Sequence, residues 1–222
     1  MTMLNVKGVY QTHDRWPLKL TKLEAGESRA FDATAGTYYV MLRNANYFSD
    51  KANFEAVNAA FCVNSHFTVK CGSDSSAVIV EYAGLHLLES RYYVQDTLDM
   101  GNLSYMDGGT NTTAVNPGRL GDPVVNYVHF PAGMYQTLHT HPSHRVGMVL
   151  KGNGQIELDD KEMFAIKEGE CFFMQRNVLH NFITDKEPVI LFVFAPDSGT
   201  GPTDEVNPLK IRTYVGQQRY AR

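Results

Sequence analysis

The stretch GMYQTLHTHPSHRVGMVLKG, residues 133–152, carries His139, His141 and His144 within six positions, followed at once by Arg145. Neutral imidazole offers a lone pair near neutral pH and is a common ligand of divalent transition metals. In an extended strand alternate residues face one side, so His139-x-His141 sends both rings the same way. A third ring, His180, follows after the apolar run ECFFMQ and the turn-like RNV. Three imidazoles converging from two strands make a site for Zn, Fe, Ni, Mn or Cu at about 2.0–2.2 Å, with positions left open for a substrate. Alone, a His-x-His pair reads equally well as a solvated strand face. Gly133, six residues before His139, and Gly169, eleven before His180, favour the ligand reading.

Arg145 adds a second chemistry. Its guanidinium is always charged and cannot ligate a metal. Facing inward beside the imidazoles it makes a strongly positive pocket, suited to a carboxylate or enolate that it can grip bidentately. Facing outward it sits at a rim or pairs with an acid such as Glu170. Arg145 is therefore the substrate-binding candidate. Strand alternation sends His144 to the face opposite Arg145, although a one-residue shift after Pro142 would bring it in. His144, His129 and Tyr127 are the groups from which a supporting hydrogen bond or a general base would come, and no catalytic base is assigned. Phe172, Phe173 and Met174 read as apolar walls. No GxGxxG, Walker A, nucleophile elbow or HExxH pattern is present.

These residues need a frame of short strands. VVNYVHF, RVGMVLKG, GQIEL, ECFFMQ and PVILFVF are β-branched or aromatic runs, separated by turn signals such as KGNGQ and LDDKE. Many short, closely spaced strands predict an all-β sandwich or barrel rather than βαβ units. In SDKANFEAVNAAF the apolar Phe54, Val57 and Phe61 fall at helical spacing. Its match to the later DDKEMFAIKEGECF, which contains a mid-segment Gly, favours a strand.

That match belongs to an internal repeat. Ala25-Gly26 corresponds to Ala132-Gly133, residues 40–43 to 148–151, Asp50-Lys51 to Asp160-Lys161, Phe54 to Phe164, Cys62 to Cys171 and His66 to His180. Six such coincidences in one order, roughly 110 residues apart, predict a duplicated unit. Over His139 and His141 the first copy has Asp32 and Thr34, so only His66 of the triad persists there. The expected organisation is an N-terminal barrel over 1–84, a connector over 85–123 and a C-terminal metal-binding barrel plus tail over 124–222. Within the connector, SRYYVQD and NLSYMD read as strands and 107–123 as a loop.

The histidine segments resemble the two motifs of the cupin superfamily. The first is a Gly, five residues, His-x-His, three or four residues, a Glu, six residues and a Gly. Here it reads Gly133, His139, His141, Arg145 in place of Glu, and Gly152. In the second, Gly169 and His180 are present, while Gln175, Asn177 and Thr184 stand where Pro, Gly and Asn are usual. The resemblance covers 125–195 well and 16–84 weakly. It implies a bicupin of two double-stranded β-helix (jelly-roll) barrels, the N-terminal one degenerate. It also implies one divalent metal on His139, His141 and His180, Fe first, with Zn, Ni or Mn as alternatives. The implied function is a three-histidine, dioxygenase-type oxidoreductase acting on a small, oxygenated, anionic molecule. A metal-dependent lyase or isomerase and a non-catalytic ligand-binding barrel are the alternatives.

Bulk properties narrow the partners. A net charge of −4, with basic residues scattered, gives no footprint for nucleic acid or acidic membranes. No 18-residue apolar stretch exists to span a bilayer. Three cysteines without CxxC spacing argue against a disulfide framework and for a reducing compartment, the cytoplasm. A small-molecule substrate is the expected partner, and pairing of two copies through edge strands into a homodimer is compatible with the class.

Overall fold

A computed structural model describes residues 3–32, 36–83, 85, 87, 89–119 and 121–198, with two further backbone pieces at 214–215 and 218–219. Thr34 lies outside the described residues. The described chain is all-β, and its one helical turn is a 3₁₀ turn at Met106–Gly108.

The strands of the first half are β1 (Met3–Asn5), β2 (Val9–Gln11), β3 (Leu18–Leu23), β4 (Ser28–Phe31), β5 (Gly36–Ser49), β6 (Asn53–Val63), β7 (Phe67–Lys70), β8 (Ser76–Ala83) and β9 (Arg91–Gln95). Those of the second are β10 (Leu103–Ser104), β11 (Thr110–Val115), β12 (Val124–Phe130), β13 (Arg145–Lys151), β14 (Gly154–Leu158), β15 (Met163–Ile166), β16 (Cys171–Met174), β17 (His180–Thr184) and β18 (Val189–Ala195). β19 (Tyr214–Val215) and β20 (Gln218–Arg219) form a separate hairpin. The segment with helical spacing is the strand β6, because Phe54 and Phe61 bury against Tyr47 rather than along a helix face.

One sheet runs β2-β3-β8-β5-β6-β9, with β4 and β7 attached through β5. A second runs β1-β16-β13-β18-β12-β11-β10, and a third runs β15-β14-β17. The two halves share one pairing scheme. β13 lies between β16 and β18, and the first part of β5 lies between the second part of β6 and β8. β14 lies between β15 and β17, and the second part of β5 lies between the first part of β6 and β7. Where the second half breaks into separate strands, β5 and β6 run on through bulges, with Asn44 and Ala56 in the left-handed region. The turns holding Gly26 and Gly133 correspond as well, both glycines at positive φ, where a side chain would be strained.

The expected loop over 107–123 requires correction. Residues 110–115 form β11, which pairs with β12 and receives β10 at its outer edge. TNTTAV looks loop-like by composition, but its threonines are β-branched and a neighbouring strand supplies the ladder. β9 likewise pairs with β6, and the N-terminal β1 crosses to the second half to pair with β16.

Alternation sorts the side chains into three apolar regions. One fills the first half, around Val40, Tyr47, Phe61 and Phe67. One fills the second, around Phe130, Val149, Ile156, Phe172 and Leu191. The third lies between the large sheets, where Leu18, Leu20, Tyr39, Met41 and Val80 meet Tyr127, Val146, Met148, Phe173, Phe192 and Phe194. Strands β12, β13, β16 and β18 therefore bury both faces. At the margin of this third region the buried Lys22 donates from Nζ to the Gly169 carbonyl.

Candidate metal centre and ligand cavity

The histidine segment is not the regular strand that its spacing suggests. Residues 133–144 make only isolated bridges, Tyr135 to Ile183 and His139 to His180. Four residues on one side thus span three on β17, a one-residue bulge at Thr137–Leu138. Asp107, itself at φ 54°, accepts from the Thr137 N–H at 2.6 Å and from Oγ1 at 3.2 Å, which pins the bulge. The slip turns His139 to the interior, where Gln136 also points, although the two are three apart in sequence. Bulges beside sites commonly re-aim side chains in this way.

His139, His141 and His180 converge, and their potential ligand atoms all lie within 4.8 Å of one another. Ring centroids are 4.4 Å apart for His139–His180 and 4.8 Å for His139–His141. His139 Nδ1 donates to the Thr137 carbonyl at 2.9 Å, and His180 Nδ1 to the Val178 carbonyl at 2.9 Å. A carbonyl can only accept, so both rings carry their proton on Nδ1 and leave Nε2 with its lone pair. Burial keeps all three neutral. It lowers the His139 pKa, drives His141 well below the ordinary range with help from Arg145, and takes His180 down to about 3, with His139 adding to the effect.

The residues fit a divalent transition metal. The donors are neutral, two tautomers are fixed by backbone carbonyls, and His141 Nδ1 is buried with no hydrogen-bond partner among the described residues. Among the described residues no further His, Cys, Asp or Glu joins these three.

A cavity of about 150 Å³ opens in front of the histidines. Its apolar walls include Val128, Phe130, Phe172, Met174 and Phe182, and its polar lining includes Tyr105, Asn111, Gln136 and Arg145. Arg145 opens β13 and faces the cavity. Its Nη1 donates to Ser143 Oγ at 2.8 Å and to the His144 carbonyl at 2.8 Å, which fixes the guanidinium at its base. Burial lowers its pKa to about 10, still charged at neutral pH. Arg145 is not paired with Glu170, whose carboxylate accepts from the Lys167 N–H. Tyr105, just before the 3₁₀ turn, is held protonated by burial, its pKa pushed up to about 12.

Three of the predicted supporting residues lie elsewhere. His144 faces the space between the sheets, where its Nε2 meets Asp14 Oδ2 at 2.7 Å and its ring packs on Trp16 and Phe173. Its Nδ1 accepts from the Arg176 N–H at 3.2 Å. Tyr127 belongs to the same inter-sheet region and donates to the Asp99 carbonyl. His129 follows Tyr127's parity on β12, while Asn126 and Val128 face the cavity. Because both faces of β12 are apolar, the sequence pattern could not tell which parity is inward. Gln136 and Tyr105 carry no sequence signal, since a bulge and a distant turn bring them in.

In the first half, Asp32 and His66 occupy the positions matching His139 and His180. They form an exposed pair at 3.3 Å beside Phe31 and Phe67, with two potential ligands where the second half has three.

Comparison with known proteins bears on the fold that carries these residues. Residues 126–195 match the family described as Cupin domain. No curated protein matches the chain. Among solved structures, a cupin 2 conserved barrel domain protein from Leptotrichia buccalis is similar, with a TM-score of 0.59 at 14% identity, over 88% of this chain and 89% of that one. An IolB-like protein from Salmonella typhimurium gives 0.63 at 11% identity, over 93% and 98%. Salicylate 1,2-dioxygenase from Pseudaminobacter salicylatoxidans gives 0.56 at 10% identity, over 91% and 75%, and that enzyme has also been solved with gentisate. The family match is confined to residues 126–195, and the fold is shared with these structures along most of the chain.

Proposed function

We propose that the protein is a metal-dependent, dioxygenase-type cupin acting on a small, oxygenated, anionic molecule, with His139, His141 and His180 as metal ligands and Arg145 as the carboxylate anchor. The observation that carries this reading is the meeting of three neutral imidazoles, two buried and one half-buried, and one fixed guanidinium on a single cavity. When bound, the metal supplies Lewis acidity and, as iron, redox chemistry with dioxygen. The chain does the rest. Arg145 fixes the acid end of the substrate, and the carbonyls of Thr137 and Val178 hold the ring orientations of His139 and His180. Phe172, Met174 and Phe182 exclude water from the reacting end. The cavity's size suits a substrate of roughly benzene bulk, by analogy with engineered cavities of about 150 Å³.

The closest alternative is a lyase or isomerase on the same site, favoured by the protonated Tyr105 phenol on the cavity wall, a proton donor at neutral pH. Metal content by elemental mass spectrometry, read beside oxygen uptake with hydroxybenzoates and keto acids, separates the two. Near-stoichiometric iron lost in a His139→Ala/His180→Ala variant, together with oxygen consumption, supports the oxygenase. Zinc, nickel or manganese with substrate turnover and no oxygen uptake favours the alternative. Absence of any metal after reconstitution overturns both.

The same proposal treats the chain as two barrels, 1–84 and 124–222, with residues 85–123 between them adding β9 to one sheet and β10–β11 to the other. The shared pairing scheme supports a duplication, and the Asp32–His66 pair supports loss of the metal site in the first copy. Three free, buried cysteines suit the cytoplasm. Homodimerisation through sheet edges completes the proposal, and light scattering at two concentrations checks it.

A further inference from the structure

Gln136 is 1% exposed and lines the ligand cavity beside the three histidines. Its Oε1 accepts from the Phe182 N–H at 3.2 Å. That bond fixes which end of the carboxamide faces which way, because the backbone N–H can be met only by the oxygen. The Nε2 end is left buried with no hydrogen-bond partner among the described residues. A buried amide without a partner is costly, and native structures seldom keep one without a use. The backbone around it is held as well. The bulge that separates Gln136 from His139 is clasped by Asp107, so the donor is fixed in position before anything binds. Nε2 can donate but cannot accept, so its partner is an oxygen or nitrogen acceptor.

Resting on the reading of Arg145 as the carboxylate anchor, we propose that Gln136 is a specificity-determining residue that donates from Nε2 to a second oxygen of the substrate. The site then selects acids bearing a carbonyl or hydroxyl oxygen next to the carboxylate over simple carboxylic acids. Arg145 reads the acid and Gln136 reads the neighbouring oxygen.

Paired probes test this by calorimetry on the protein as isolated: benzoate against salicylate, and butyrate against 2-oxobutyrate. In each pair the second member adds one oxygen beside the carboxylate. The wild type is expected to prefer the oxygenated member about tenfold, the range for one hydrogen bond inside a protein site. Gln136→Met removes the donor and is expected to bring that ratio close to one. Gln136→Leu lacks the donor as well, so it must erase the preference too, even if the Met variant folds poorly. A preference that persists in both variants assigns the second oxygen to another group and overturns the role of Gln136 alone, leaving the acid-binding reading in place. A wild type that binds both members of each pair equally overturns it likewise. Failure of all four acids to bind the wild type overturns the acid-binding reading and this inference with it.

Discussion

His139, His141 and His180 reach neutrality by burial rather than by partners, and this has a consequence for pH. A histidine whose folded pKa is depressed takes up a proton on unfolding before it does so in the fold. Stability is therefore intact above the unfolded value, about 6.5, and falls as pH drops from there toward the folded value of about 3 for His180. The metal-free protein should lose up to about 1.4 kcal/mol per pH unit for each such ring below pH 6.5. Urea midpoints between pH 7.5 and 5 check the slope, which should flatten in His180→Gln. Arg145 offers a second test. Arg145→Met should weaken carboxylate binding by about 1.5–3 kcal/mol, roughly ten- to a hundredfold. Arg145→Lys should recover only part of this, because the ammonium lacks the planar fork. Equal binding of carboxylates by Arg145→Met and wild type would sink the anchor role.

The strands show why the cavity exists where it does. Gly147 on β13 faces the interior, and a Cβ built there would fall 2.0 Å from Phe172 Cζ. The ring occupies the space that a side chain would need, so Gly147→Ala pushes Phe172 into the cavity that it lines. The expected result is a folded protein destabilised by about 1–3 kcal/mol, with ligand affinity falling more than stability does. Thermal unfolding and calorimetry separate the two effects. Much of this frame is legible in the sequence. Alternating or continuous apolar runs mark β8, β12, β13, β14, β16 and β18, and the repeat resolves β6 from a helix. The convergence of the histidines is legible from their spacing. Strand parity gives it for the wrong local reason, since the segment carrying His139 and His141 is bulged. What composition hides is set by distant contacts. β11 is a strand because β12 pairs with it, and Gln136 reaches the cavity because a one-residue slip turns the chain. Tyr127 and His129 are hidden differently, on a strand whose two faces are equally apolar.

Across the whole molecule, the halves share the apolar region between their large sheets, and neither sheet is complete without a cover on that face. Phe194, fully buried there against Tyr39, is contributed by one half and packed by the other. Phe194→Ala should cost about 3–5 kcal/mol. It should lower hydrogen-exchange protection on β8 and β13 together, with a single calorimetric transition in both proteins. Two separated transitions would show that the halves unfold independently. Asp14 and Trp16 extend this coupling toward the site, because they hold His144, the residue next to Arg145. The pairing of β1 with β16 gives the connection a temporal side. Leu4 meets Phe173 across 169 residues of chain. At roughly 5–20 residues per second of synthesis, β1 waits on the order of 10–30 s for its partner to leave the ribosome. A strand made early is thus placed late, and the edge of β1 stays open to other chains until β16 arrives to pair with it.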